Sequence, residues 1–197
     1  MISGAGSGSG LPWTFGYSEA RRLGVTDRGL RRLVREGSVE RVSRGLYRRT
    51  DAEPIVDLDL IEVAHRVPVA TVCLVSALSR HGLTDEIPSS VDIAIPRGRR
   101  TPRAALPVTW HHFSAETFQL GRESLPLGPD EEIGIYNAER CIVDAFRLRH
   151  QLGSELAVGA LRAWLRRREG GVSGLMAMAE RFPQAAAPLR NSLEILL

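Results

Sequence analysis

The first regular pattern of apolar and polar positions lies near the N-terminus and predicts two short helices. Ser18 can cap a helix over Glu19–Leu23, because its hydroxyl can accept a hydrogen bond from a free N–H group at the helix start. A second helix is predicted from Asp27 to about Glu36, with Thr26 as its cap. Its apolar residues have the i, i+3, i+4 spacing of one buried stripe: Leu30, Leu33 and Val34. With a tight turn at Gly24, the two helices form a helix-turn-helix, whose second helix enters a major groove.

Arginine occupies the polar positions of the second predicted helix. At roughly 100° per residue, these positions form a stripe opposite the apolar one. The stripe consists of Arg28, Arg31, Arg32 and Arg35. Guanidinium groups bind phosphate and guanine through paired hydrogen bonds, so this face is suited to contact DNA.

Alternating residues after Gly37 predict a β-hairpin. Its strands are Ser38–Val42 and Gly45–Arg48, with Arg44 at the tip. A hairpin that follows a recognition helix is the wing of a winged helix-turn-helix, and its tip can reach a minor groove or a phosphate. The DNA-contacting residues predicted from helix and wing are Thr26, Arg28, Arg31, Arg32, Arg35, Arg41, Arg44 and Arg48.

Ahead of this segment, the chain lacks the additional helix with which a winged helix usually opens. Residues 3–10 contain only serine, glycine and alanine, and we expect residues 1–12 to be a flexible tail. Two aromatic residues, Trp13 and Phe15, follow the tail. We expect these aromatics, or the second domain, to cover the apolar face that the missing helix would have covered.

A second domain is predicted at residues 55–197, after a polar hinge at Thr50–Pro54, so that the winged domain spans residues 13–50. Its patterns predict two helices, Ile55–Val67 and Ala70–His81, and four strands, Val91–Ile95, Leu106–Phe113, Phe118–Leu120 and Glu131–Tyr136. Four helices follow: Asn137 to about Leu152, Ser154–Arg168, Val172–Phe182 and Ala185–Leu197. The predicted fold class is therefore α+β, with an N-terminal winged helix-turn-helix followed by a small, mostly antiparallel sheet packed with several helices.

The composition is that of a soluble globular protein, with 43% apolar and 25% charged residues. No apolar run approaches the roughly 18 residues of a membrane span. The N-terminus also lacks the basic and apolar regions of an export signal. We therefore expect a cytoplasmic protein.

The positive charge is concentrated in the predicted winged domain. The whole chain has a net charge of +3, whereas residues 13–50 hold ten arginines and four acids, a balance of +6, which leaves −3 for the remainder. All 26 basic side chains are arginines. A basic segment joined to a mildly acidic body is typical of a nucleic-acid-binding module with a second domain.

A second basic segment follows the strand Val91–Ile95. Its four arginines lie in a loop rich in glycine and proline: Arg97, Arg99, Arg100 and Arg103. Such a loop either follows a nucleic-acid backbone or is simply solvated, and the sequence leaves both interpretations open.

Acidic residues define an alternative function, a metal-dependent nuclease or nucleotidyltransferase in residues 55–197. Asp57 and Asp59 resemble the carboxylate pair that holds Mg²⁺ in nucleotidyltransferases, but no Gly-Ser phosphate-binding turn precedes them. Acids at a helix start also interact favourably with the helix dipole. The other acids available to such an enzyme are Asp92 and Asp144. A third hypothesis is a protein-interaction module whose first segment merely resembles a winged helix.

Cysteine and histidine do not indicate a metal or another cofactor. Cys73 and Cys141 lie in apolar runs without ligand spacing and are interpreted as reduced core residues. His111 and His112 are adjacent, so in a strand they point to opposite faces and cannot bind one ion together. We therefore expect a protein without cofactor that is not an enzyme.

Residues Tyr17–Arg49 resemble the N-terminal winged-helix domain of AbiEi-type antitoxins. The similarity lies in Gly24-Val25-Thr26 and in Arg44-Gly45-Leu46-Tyr47. Later segments, to about Leu165, are similar to the body of such regulators: Ser76-Ala77-Leu78, His81-Gly82-Leu83, Val91–Pro96, Ile135-Tyr136, Glu139-Arg140 and Ile142-Val143-Asp144. The segment 17–49 is the more specific part of the match.

The resemblance implies a transcriptional repressor that autoregulates a type IV toxin–antitoxin pair. Such a protein binds inverted repeats in the double-stranded DNA of its own promoter, here as a monomer or weak dimer that is cooperative on DNA. Its genetic partner would be a nucleotidyltransferase toxin with which it forms no stable complex. The residues themselves support DNA binding, whereas the antitoxin role is implied by the resemblance alone.

Overall fold

The computed structural model describes residues 10–52, 57–102, 107–167 and 170–197, apart from the side chain of Leu58. The described residues divide into two compact units. The first comprises those of Met1–Pro68 together with Pro126–Ile133, and the second Val69–Leu125 together with Gly134–Leu197. The α+β fold class is confirmed. The domain boundary within residues 50–54 remains a prediction.

The first unit contains a winged helix-turn-helix. Its elements are β1 (Thr14–Gly16), α1 (Tyr17–Arg22), α2 (Asp27–Arg35), β2 (Val39–Ser43) and β3 (Leu46–Arg49). The three strands form an antiparallel sheet in the order β1-β3-β2. Both predicted helices and the predicted hairpin are present, and the third strand, β1, is an addition that the sequence pattern did not predict.

The predicted cap of α2 is confirmed, whereas the predicted cap of α1 is wrong. Thr26 Oγ1 accepts a hydrogen bond from the N–H of Gly29 at 3.1 Å. Ser18, by contrast, lies inside α1, which begins at Tyr17 directly after β1. The Tyr17 N–H is bonded to the carbonyl oxygen of Gly45 at 2.8 Å, so the sheet supplies the partner that a capping hydroxyl would have supplied.

Phe15, on β1, covers the apolar face of the winged segment. Its side chain is fully buried and belongs to one apolar cluster with Leu11, Ala20, Leu30, Leu33 and Val39. This burial confirms that an aromatic residue ahead of α1 covers the apolar face. Leu11 is also in the core, although the sequence placed it in the tail. Trp13 is half-buried, with the Arg49 guanidinium 4.6 Å from its ring centroid.

The helix α3 (Leu58–Arg66) also belongs to the first unit. The predicted helix over Ile55–Val67 is thus present, although residues 53–56 lie outside the described ranges. Asp57 lies at its N-cap and Asp59 in its first turn, the placement expected from the helix dipole. Near the other end, His65 Nε2 lies 2.8 Å from Glu131 Oε1.

A mixed sheet of five strands has the order β6-β5-β4-β8-β7. The strands are β4 (Thr71–Val72), β5 (Val91–Pro96), β6 (Val108–Phe113), β7 (Arg122–Gly128) and β8 (Glu131–Tyr136). The pair β4–β5 is antiparallel, whereas β4–β8 and β5–β6 are parallel. The prediction of a mostly antiparallel sheet is therefore wrong, because the chain crosses back between β5 and β6, and β8 joins β4 from far along the sequence.

Two further predicted elements differ from the structure. The helix predicted over Ala70–His81 is the strand β4 followed by the shorter α4 (Leu74–Arg80). The strand predicted at Phe118–Leu120 is a turn, closed by a hydrogen bond from the Leu120 N–H to the Thr117 carbonyl oxygen. Strand β7 was not predicted, because its proline and glycine disfavour a strand assignment.

The helices of the second unit pack around a buried ion cluster. Besides α4, they are α5 (Ala138–Arg147), α6 (Arg149–Leu152), α7 (Ser154–Arg167), α8 (Val172–Glu180) and α9 (Pro183–Leu196). Asn137 caps α5 as predicted, through Oδ1 and the N–H of Arg140 at 3.0 Å. Inside the unit, Arg140 Nε lies 3.0 Å from Asp144 Oδ2, and both side chains are fully buried. Arg147 Nη2 lies 2.9 Å from the other carboxylate oxygen.

Candidate nucleic-acid interface

The helix α2 presents one buried face and one arginine face. Leu30 and Leu33 are each only 5% exposed and anchor the helix to the core. The four arginines of the opposite stripe are all exposed: Arg28, Arg31, Arg32 and Arg35. Val34 is 37% exposed, so its predicted burial is wrong, and it lies at the edge of the apolar stripe.

Three of these arginines are available to an external ligand. Arg28, Arg31 and Arg35 form no hydrogen bond or ion pair through their side chains with any described residue. Arg32 differs, because its Nε lies 3.7 Å from Glu36 Oε1 one turn further along the helix. An exposed pair of this kind contributes little stability, so Arg32 can exchange Glu36 for a phosphate at small cost.

The wing carries arginines in three different states. Arg44 occupies the turn, is exposed and has no side-chain partner among the described residues. Arg41 donates from Nε to the Ser43 carbonyl oxygen at 3.2 Å. Arg48 is held in place, since its Nη1 lies 3.2 Å from Glu40 Oε1 on the neighbouring strand and its side chain is only 12% exposed.

A cleft of about 420 Å³ lies between α2 and the wing. Apolar surface from Leu30, Val34 and Tyr47 lines it, and the side chains of Arg31 and Arg35 also border it. Apolar surface next to guanidinium groups can contact a thymine methyl group beside a phosphate or guanine. The sequence pattern assigned no such role to Val34, because the residue was expected in the core.

A hydrogen bond between the two helices fixes the start of α2. The Tyr17 hydroxyl donates to Asp27 Oδ1 at 2.7 Å, and Arg21 Nη1 lies 3.7 Å from the same oxygen. The hydrogen bond to the carboxylate raises the pKa of the Tyr17 hydroxyl. Together these contacts compensate the one negative charge at the N-terminal end of the arginine face. The sequence pattern does not predict this contact, since it places Tyr17 ahead of the first helix.

The second basic segment follows β5. Arg97, Arg99 and Arg100 are exposed and have no side-chain partner in the described part of the chain, while Arg103 lies outside it. The backbone of the loop is anchored, because the Arg97 N–H donates to the Phe113 carbonyl oxygen at 2.7 Å. His112 Nε2 also lies 3.1 Å from the Arg99 carbonyl oxygen. The loop is thus held by its backbone, and its guanidinium groups are left to solvent or to a ligand.

The acids considered for catalysis are engaged in separate places. Asp92 Oδ1 lies 2.9 Å from His111 Nε2, and Asp92 Oδ2 lies 3.3 Å from Ser76 Oγ. Asp144 is bonded to two arginines, and burial raises the pKa of its carboxyl group although both cations oppose this. Among the described residues, no group of three or more His, Cys, Asp or Glu side chains is arranged to hold a metal ion. Within the same residues, no helix has both the length and the apolar character needed to cross a membrane.

A recognition helix with an exposed arginine face, a tight turn and a wing together define the winged helix-turn-helix class. Residues 14–50 match the family model described as "Transcriptional regulator, AbiEi antitoxin", which confirms the resemblance of this segment. The winged segment is therefore similar in sequence to a family of transcriptional regulators. No curated protein matches the chain.

The chain is also similar to a solved structure, the crystal structure of the RV2827C protein from Mycobacterium tuberculosis. The two proteins are 16% identical, and the alignment covers 86% of this chain and 76% of that one with a TM-score of 0.48.

Proposed function

We propose that the protein is a DNA-binding transcriptional repressor that autoregulates its own promoter as the antitoxin of a type IV toxin–antitoxin pair. The observation that carries the proposal is the exposed face of α2, where Arg28, Arg31 and Arg35 have no partner among the described residues. The match of residues 14–50 to an antitoxin family of transcriptional regulators supports the same conclusion.

In this proposal α2 lies in the major groove of double-stranded DNA. Arg28, Arg31, Arg32 and Arg35 contact phosphates and guanines, since a guanidinium can donate two parallel hydrogen bonds to either group. The hydroxyl of Thr26, which already accepts the capping bond, still has a proton to donate to a phosphate.

The wing extends the contact beyond the major groove. Arg44, exposed in the turn, reaches an adjacent minor groove or a phosphate. Arg41 can also contact DNA if its Nε releases the Ser43 carbonyl oxygen, to which it donates at 3.2 Å. Arg48 was predicted to bind DNA as well, but it would first have to leave Glu40, so we assign it mainly to holding the wing.

The loop after β5 is proposed as a second contact with the DNA backbone. Arg97, Arg99 and Arg100 are exposed cations without an acid among residues 93–115 to neutralise them. Contacts to phosphate add affinity but no sequence preference. Replacing all three arginines by alanine should therefore weaken binding to the specific duplex and to an unrelated duplex by the same factor. An unchanged affinity would show that the loop is solvated and does not contact DNA.

The antitoxin part of the proposal concerns a genetic partner, a nucleotidyltransferase toxin that forms no stable complex with this protein. Its test is co-expression with the nucleotidyltransferase encoded in the adjacent open reading frame. Growth should be restored without co-purification of the two proteins. Continued growth arrest, or the absence of such a neighbouring gene, would restrict the function to gene regulation.

DNA binding is tested directly with a duplex from the region upstream of the protein's own gene. The variant with both Arg28→Ala and Arg31→Ala should lose most of its affinity, because two phosphate or base contacts are removed. Arg190→Ala is the matched control, since this exposed arginine lies on α9 and has no side-chain partner in the described chain. An equal loss of DNA affinity in the two variants would contradict the proposal. Failure of the unaltered protein to bind the duplex would contradict it as well.

A further inference from the structure

A second cleft, of about 400 Å³, lies wholly within the second unit. One wall is the loop that follows α4, residues 82–86, and the other is the helix α7. Small and apolar side chains line its base, among them Leu156 and Ala160. At Gly159 an added Cβ would meet no atom within 4 Å, so the helix wall is open at this point.

The loop wall is acidic, and the helix wall is basic in its C-terminal half. Asp85 and Glu86 are exposed on the loop, whereas α7 exposes Arg162 and Arg166 toward its end and Glu155 in its first turn. None of these five side chains forms an ion pair with another described residue, although all line the same cleft. A partner that brings the opposite charge to each wall would satisfy both.

An apolar side chain projects next to the acidic wall. Ile87 follows Glu86 directly and is 93% exposed, the highest exposure of the large apolar side chains described. Covering an isoleucine of this kind removes apolar surface from water, which favours association. Ile87 thus projects beside an open cleft with an apolar base. We refer to Ile87 as the knob and to the cleft as the hole.

The spacing of the two walls is fixed. Arg167, near the end of α7, donates through Nη2 to the carbonyl oxygen of Gly82 at 2.6 Å. Gly82 has a φ of 62°, and a Cβ at this position would lie 2.6 Å from the same Arg167 nitrogen. The loop and the helix are thus tied at one end, so the cleft is present before any partner binds.

We propose that this cleft is the contact surface between two copies of the chain. The knob, the hole and both charges lie on one patch, which is what a two-fold interface requires, because each copy presents the same surface to the other. About the two-fold axis, Asp85 and Glu86 of one copy face Arg162 and Arg166 of its partner, and Ile87 of each copy covers the base of the other cleft. A protein of a different kind would have to supply the complement of both walls on its own surface, whereas a second copy already carries it.

The contact explains how two molecules would bind an inverted repeat cooperatively, and this consequence rests on the proposed function. Self-association itself does not depend on DNA. The two can therefore be measured separately, by sedimentation velocity of the full-length protein alone and by binding to duplexes with one or two half-sites.

A charge exchange tests the interface. The acidic variant carries Arg162→Glu and Arg166→Glu, and the basic variant carries Asp85→Arg and Glu86→Arg. Each variant alone brings like charges together twice and should associate about tenfold more weakly or worse. In an equimolar mixture, one acidic and one basic variant should associate with each other. One of their two contacts then keeps the original charges, and in the other both charges are reversed and still attract. Arg190→Glu, outside the cleft, should leave association unchanged.

Three outcomes would overturn the proposal. They are an unaltered protein that is monomeric at all concentrations, a dimer whose association neither variant weakens, and an equimolar mixture of the folded variants that associates no better than either variant alone. Ile87→Asp tests the apolar part of the contact separately and should also weaken association. Binding of a single half-site should survive in every variant, so its loss would instead indicate failure of the proposed DNA-binding function.

Discussion

The ring of Phe15 stacks on the ring of Tyr47, with centroids 5.9 Å apart and planes inclined by 17°. Through this contact, β1 packs against the wing strand β3 and closes the core from the side where winged helices usually carry another helix. The register places Phe15 directly opposite Tyr47 in the antiparallel pair. The three-residue strand β1 thus closes the core on this side, because one large side chain fills the space.

Replacing Phe15 by alanine should destabilise the winged segment. Removal of a fully buried phenylalanine leaves a cavity and costs about 3–5 kcal/mol of unfolding free energy. The measurement is urea unfolding followed by tryptophan fluorescence, and Leu23→Ala is the control because Leu23 is 50% exposed. Equal stability of both variants would show that the core is closed by something other than β1.

Arg48 and Arg28 should separate stability from DNA affinity. Arg28→Ala should weaken DNA binding and leave the melting temperature unchanged, since its side chain has no partner among the described residues. Arg48→Ala should lower the unfolding free energy by about 1–2 kcal/mol, because it leaves Glu40 and the Ala52 carbonyl oxygen without their donor. If Arg48→Ala kept full stability and lost DNA affinity, Arg48 would be a direct DNA contact after all.

The pair His65 and Glu131 should make stability depend on pH. The hydrogen bond to Glu131 raises the pKa of His65, with burial opposing it, so the protonated imidazole is favoured in the folded state. The contribution is complete below the ordinary histidine pKa of about 6.5 and is lost as the pH rises through the higher folded-state value. Because the side chain is 24% exposed, we expect less than about 1 kcal/mol.

Melting temperatures between about pH 5.5 and 8.5 measure this dependence. They should fall in the unaltered protein and less so in His65→Gln, with the exposed His150→Gln as control. Parallel curves for all three proteins would show that the pair does not link protonation to folding.

Asp144→Asn should be among the most damaging single changes in the second unit. It leaves the fully buried Arg140 without its counter-ion, and breaking a buried pair costs about 3–5 kcal/mol. Glu123→Gln removes an exposed carboxylate from the same unit and serves as the control. The test is chemical unfolding monitored by circular dichroism, and equal midpoints for the two variants would contradict the structural role of the cluster.

Local features were predictable from the sequence, and features that depend on distant partners were not. The caps at Thr26 and Asn137 follow from the residue type and the next few positions, and both are present. Strand β4 has two residues and exists only through its neighbours β5 and β8, so no periodicity could show it. The direction of strand pairing likewise depends on chain crossings rather than on side-chain alternation.

The same distinction separates the arginines of the candidate interface. Arg28 and Arg48 look alike in sequence, and what distinguishes them is the pairing of β2 with β3, which brings Glu40 opposite Arg48. Arg140 and Asp144 have an ordinary helical spacing, and their burial follows from the packing of α5 inside the second unit. In both cases the fold decides whether the charged side chain lies on the surface or in the interior.

The most direct test of the central claim, that α2 and the wing bind DNA through their arginines, is the salt dependence of affinity for the upstream duplex. If four to six guanidinium groups neutralise phosphates, the logarithm of the binding constant should fall against the logarithm of salt concentration with a slope of about −4 to −5. The variant with Arg28→Ala and Arg31→Ala should show a slope smaller in magnitude by about 2 if both residues contact phosphates. Binding that is insensitive to salt, or an unchanged slope together with an unchanged affinity in this variant, would contradict the account.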